Sequence, residues 1–143
     1  MQGYNRVDSA TVTLEGVDVE KTGGASSNTE NGDFYGQNEA LLALNGAQVT
    51  IKDAVINTDA VNGNAVFSYG EGTTVNISDS VIRTQQNNSG GIQTTGGGTV
   101  KVTLDDTSTW TLTADSYVTS FAGDLTNVTA NGYHLYVNGE LAL

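Results

Sequence analysis

The sequence predicts an all-β chain, a parallel solenoid of about four to five coils closed by a C-terminal cap. Three observations predict it. A stretch of sequence returns after 26 residues, apolar residues alternate with polar ones inside each copy, and glycine and asparagine recur where a coil must turn. The echo is position for position: Val49-Thr50-Ile51-Lys52-Asp53-Ala54-Val55-Ile56 against Val75-Asn76-Ile77-Ser78-Asp79-Ser80-Val81-Ile82. A sandwich of hairpins has no reason to repeat at that distance.

An earlier copy starts at Val12 and a later one at Val102. Val12 precedes Val49 by 37 residues, one period plus an insertion of 11, and residues 23–33 have the composition of that loop. Each unit has a second half: Asn64-Ala65-Val66-Phe67-Ser68-Tyr69-Gly70 aligns with Gly90-Gly91-Ile92-Gln93-Thr94-Thr95-Gly96, and Ala40–Leu44 is the first equivalent. Every unit therefore reads as three short strands. Val49, Ile51, Ala54 and Ile56 point inward, as do Val75, Ile77, Ser80 and Ile82, and the parity change at Asp53 and Asp79 marks a bend. The chain enters the repeat by about Thr11. The reading is one domain over 1–143, with coils over 1–101 and a last coil and cap over 102–143. In that cap Asn131-Gly132 signals a tight turn, and Trp110 and Tyr133 share parity with apolar neighbours, as core residues do.

Composition narrows the function. There are 143 residues with 16 acidic and 5 basic side chains, a net charge of −11. Nucleic-acid phosphates and anionic membranes need clustered Lys and Arg, so both are excluded as partners. No run reaches the length of a membrane helix, and the first residues do not form a signal peptide. With no Cys and one His, thiolate and His-rich metal sites are excluded. A lyase would need a basic residue poised over an acidic sugar; Arg83 and Lys52 have no converging partner, and His134 has no Ser or Cys partner. The chain is expected to be non-catalytic.

Several runs carry a resemblance: Asp33-Phe34-Tyr35-Gly36 through Leu41, Asn62–Ser80, Asn87–Gly98, and the tail with Ser108-Thr109-Trp110 and Asn131–Gly139. Over almost its whole length the chain resembles the exported right-handed parallel β-helix proteins of anaerobic bacteria, which are similar to pectin-lyase-fold proteins and often described as carbohydrate-binding or adhesin-like. The resemblance implies a single-stranded right-handed helix, a polysaccharide or cell-surface glycan as partner, and a location outside the cell or on a bacterial surface. It also includes calcium-binding relatives. Members of that group carry many more coils before the Trp-containing tail. Here Gly98 runs almost directly into Val102, like first coils joined to a terminal cap. That departure favours a second expectation, a minimal or engineered scaffold that stacks head to tail through an uncapped N-terminal coil.

Candidate ligand residues follow. Sugar rings stack on flat aromatic faces, so Tyr35, Tyr69 and Tyr136 are candidates, and Asn62 and Asn64 offer amides to sugar hydroxyls. Calcium takes oxygen ligands. Asp33, Asn38 and Glu39, with Glu30, are one candidate set, and a ladder of Asp53, Asp79 and Asp106 at equivalent positions is another. Ice binding would need Thr ranks repeated at the 26-residue offset, and Thr11/Thr13 and Thr109/Thr111/Thr113 lack them.

Overall fold

The computed structural model describes residues 5–25, 38–86, 91–112 and 115–143. Among these are β1 (Asn5–Asp8), β2 (Thr11–Glu15), β3 (Asp18–Ala25), β4 (Leu41–Leu44), β5 (Gln48–Lys52), β6 (Val55–Val61), β7 (Val66–Tyr69), β8 (Thr74–Ser78), β9 (Val81–Thr84), β10 (Ile92–Thr95), β11 (Thr99–Thr103), β12 (Trp110–Thr111), β13 (Ser116–Val118), β14 (Ser120–Ala122), β15 (Val128–Thr129), β16 (Leu135–Val137) and β17 (Glu140–Leu141).

The class is all-β with parallel sheets. Strands pair with the strand three further along: β1-β4-β7-β10 in one sheet, β2-β5-β8-β11-β14 in a second, β3-β6-β9 in a third. The register is the one the repeat dictates. Val49 lies beside Val75, Ile51 beside Ile77 and Ile56 beside Ile82, while Val12 lies beside Val49 across the 37-residue interval. Parallel pairing sets like side chains about 4.8 Å apart, so one choice of residue packs against its own copy. All eight residues expected to point inward are buried.

Three details differ from the expectation. The strand after Gly98 places Val100, not Val102, beside Val75. Three residues separate β10 from β11, whereas four separate β7 from β8, so the offset shortens by one. The first paired strand is β1, upstream of Thr11; its sequence, Asn5-Arg6-Val7-Asp8, has one apolar residue and no alternation to reveal it. Gly23 to Ala25 belong to β3, whose Ala25 still pairs with Val61, rather than to an inserted loop.

The final stretch is built from shorter strands. β12 pairs with β15 and β13 with β16, both parallel, and β17 then turns back antiparallel on β16. That hairpin uses Asn138 and Gly139, at φ 52° and 81°, the two-residue turn whose twist suits adjoining strands. Asn131-Gly132 also turns with positive φ, with the Tyr133 N–H donating to the Ala130 carbonyl at 2.9 Å. Trp110, Leu112, Val128 and Leu135 are buried in the core cluster. Tyr133 is not: it is 40% exposed, because it sits in the turn before β16, where strand parity no longer applies.

Candidate functional site

Each crossing from the second sheet to the third needs a sharp bend. Gly16, Asp53 and Asp79 make it with φ of 64°, 49° and 50°, a conformation Asp tolerates through its short polar side chain. Because Glu15, Lys52 and Ser78 are in register, the residues after them form a column. The carboxylate that Asp79 meets beyond it belongs to Asp105, where the repeat alone suggested Asp106. Asp105 Oδ1 accepts from Thr107 N and Oγ1 at 2.8 Å each, and from Ser108 N and Oγ at 2.8 and 2.9 Å. Those hydrogen bonds, Thr107 first, hold Asp105 well below the usual carboxylate range. Asp79 is pushed up, chiefly by its hydrogen bond to Asp105, then by desolvation and the charges of Asp105 and Asp53, against the pull of Lys52. Of the two, Asp79 is therefore the one that takes a proton first as pH falls. With Lys52, Ser80 and Thr109 they line an open groove of about 530 Å³. Among the described residues no group of three or more His, Asp or Glu converges as metal ligands.

Of the residues singled out in the sequence, Glu30, Asp33 and Tyr35 lie outside the described residues. Tyr69 is half-buried. Asn38, Glu39, Asn62 and Asn64 are brought together, and all are buried. Glu39 and Asn64 occupy equivalent places one residue ahead of Ala40 and Ala65, so they stack, and Asn64 Nδ2 donates to Glu39 Oε1 at 3.3 Å. Asn38 Nδ2 donates to the Val61 carbonyl at 3.1 Å. Its own carbonyl stands 2.6 Å from where a Cβ on Gly63 would lie, so this corner closes only over glycine. Among the described residues Asn38 Oδ1, Asn62 Oδ1 and Thr58 Oγ1 find no hydrogen-bond partner.

Sequence reasoning missed the cation of this group. Lys21 pairs with Thr58, faces inward beside Val19, and is only 5% exposed. Its Nζ donates to the Gly23 carbonyl at 3.0 Å. Burial pushes its ammonium below the usual lysine range, with the charge of Glu39 opposing. The alternation Val17, Val19, Lys21 was the available signal.

The second missed residue is Tyr117. It lies on β13 between buried Ser116 and Val118, is 42% exposed, and is in register with Tyr136 of β16. Their rings stack with centroids 4.8 Å apart and planes within 5°. His134, exposed as expected, lies 6.1 Å from the Tyr136 ring, and its Nδ1 is 3.3 Å from Asp115 Oδ1, which also accepts the His134 backbone N–H at 2.9 Å. Desolvation, then the Asp115 charge, raises the Tyr117 hydroxyl. Flat rings with a carboxylate and an imidazole at their side can hold a ring-shaped polar ligand by stacking and hydrogen bonding.

No family model matches the chain, and neither a curated protein nor a solved structure matches it.

Proposed function

We propose that this chain is a right-handed parallel β-solenoid acting as a non-catalytic carbohydrate-binding or adhesion module, extracellular or on a bacterial surface. The supporting observation is the stack of exposed Tyr117 on half-buried Tyr136, with His134 and Asp115 beside it. The solenoid reading is supported by the pairing of each strand with the third strand after it, at intervals of 25 or 26 residues through β4–β11. The test is retention on insoluble and acidic polysaccharides, with calcium and with EDTA. Retention lost in the Tyr117→Ala/Tyr136→Ala double variant supports the aromatic site. Retention that needs calcium and survives that variant moves the contact to the groove of Asp53, Asp79 and Asp105. Failure to bind any polymer would falsify the binding-module reading.

A second reading, head-to-tail self-association, is favoured by β1, β2 and β3. Among the described residues each ends its sheet, and Val12, Leu14 and Val19 of that first unit are only half-buried. The charge of −11 opposes such stacking at low salt. Sedimentation should show association growing with protein concentration and with salt; a monomer throughout removes this reading.

A further inference from the structure

We propose that Tyr117 and Tyr136 form an oxidative cross-linking site, at which a one-electron oxidant of the kind a peroxidase makes from hydrogen peroxide joins the two rings by a carbon–carbon bond. Strand register sets the site. Tyr117 of β13 and Tyr136 of β16 are Cα partners in a parallel pair. Their ring centroids are 4.8 Å apart and their planes lie within 5°. That distance is the spacing of neighbouring strands, about 4.8 Å. The two side chains therefore run side by side as near copies displaced by one strand, and each ring carbon beside a phenol oxygen faces its own equivalent. The other described tyrosines lack this arrangement. Tyr69 stands in register with Leu44 and Thr95, and Tyr133 precedes β16 outside any strand.

The oxidant takes one electron from each phenol, and each hydroxyl proton passes to water. The unpaired electron of each phenoxyl radical is shared with the ring carbons beside the oxygen, the Cε atoms. One Cε of each ring forms the new Cε–Cε bond. The hydrogen on each joined carbon then moves, as a proton, to the oxygen of its own ring, which restores both phenols. Two electrons and two protons leave the chain, and they reduce one hydrogen peroxide to two waters. Holding both rings in one rung turns a chance collision of radicals into an intramolecular step. The new bond is shorter than the present separation, so the rings close by tilting together. Tyr117, 42% exposed, faces solvent and is the ring that swings, against half-buried Tyr136. The product ties β13 to β16, which also carries β17, in the stretch where strands run only two or three residues. The proposal stands whether or not the same rings bind a glycan.

Treating the dilute wild-type chain with a peroxidase and hydrogen peroxide, then weighing it intact, tests this. The expected product is a monomer lighter by two hydrogen atoms that shows biphenol fluorescence. Asp124 lies between the two tyrosines, so a protease that cuts before aspartate leaves them on separate peptides unless they are joined. The digest should yield a branched peptide linking Tyr117 to Tyr136. Tyr117→Phe and Tyr136→Phe keep both rings and should keep the β circular-dichroism spectrum, yet each should abolish that peptide, whereas Tyr69→Phe should leave it. Chain unfolded in urea before oxidation should lose it as well. The proposal is overturned if both tyrosines stay in linear peptides, or if the branch runs to another residue. It is equally overturned by dimers linked between chains in place of the lighter monomer, or by the same yield from the unfolded chain.

Discussion

The central units, β4 to β11, and the terminal stretch, β12 to β17, are held by different means. In the centre the strands run four to seven residues, and like lies on like: Val49, Val75 and Val100 in one row, Ile51, Ile77 and Val102 in the next, none more than 4% exposed. At the end the strands run two or three residues, and like meets like only in single pairs such as Tyr117 with Tyr136 and Val118 with Val137, with no third copy in the row. Larger side chains fill that core, Trp110 among them, while local caps hold the backbone: Asp105 binds Thr107 and Ser108, and Asp124 Oδ1 accepts the Thr126 N–H at 2.9 Å. Ladders let a short apolar vocabulary suffice where each unit has a neighbour on both sides. Where the stack stops, bulk and side-chain hydrogen bonds replace them. The tyrosine pair, exposed Tyr117 on half-buried Tyr136, belongs to this second region.

The sharpest way to break the comparison is in the centre. Ile51 is 0% exposed, between Leu14 and Ile77. Ile51→Ala should cost about 4 kcal/mol, from lost transfer energy and a cavity that stacked neighbours cannot collapse. Urea unfolding would show it as a lower midpoint. Gly98→Ala should follow at about 3 kcal/mol. Its Cβ would collide with the Ser68 carbonyl oxygen, which is backbone and cannot step aside. A loss below a third of either figure would mean that the rungs are looser than drawn.

The same division governs what the sequence reveals. Wherever a ladder operates, position predicts place: Val49 with Val75, Val66 with Ile92, and the bends at Asp53 and Asp79 are legible because the same constraint is written twice. Legibility fails where the constraint is written once. One residue fewer in the turn at 96–98 shifted the last copy, and Asp105 rather than Asp106 meets Asp79 because that unit bends differently. Tyr133 misleads because it shares the parity of Leu135 without being in a strand. In the buried corner, the equivalence of Glu39 and Asn64 is visible through Ala40 and Ala65. The inward turn of Lys21 runs against the expectation that a lysine faces water, which outweighs its parity with Val17 and Val19.

In the terminal stretch the effects are smaller. The Tyr117–Tyr136 stack should contribute about 1 kcal/mol of coupling beyond the area each ring buries. A double-mutant cycle with Tyr117→Ala and Tyr136→Ala measures it by thermal unfolding. Additive losses would show that the rings do not hold this arrangement in solution.

The smallest effect lies at the seam, where Asp79 of the periodic part meets Asp105 of the aperiodic part. Asp79 has a raised value, so its proton is held more tightly in the folded chain than in the unfolded one. Its contribution to stability is present below the ordinary value of 3.8 and is lost as pH climbs through the raised one. Asp105 has a lowered value, so its contribution is present above the ordinary value and is lost as pH falls through the lowered one. Above the raised value the two carboxylates repel, and the charge of Asp53 adds to that repulsion. Asp79→Asn keeps a hydrogen-bond donor facing Asp105 while removing the repulsion. The variant should therefore melt slightly higher than the wild type at pH 7. The gap should close in acid, as Asp79 takes its proton, and should narrow in high salt, which screens exposed charges. A gap that ignores both pH and salt would mean that the two carboxylates do not meet, and that the groove is not the single acidic surface drawn here.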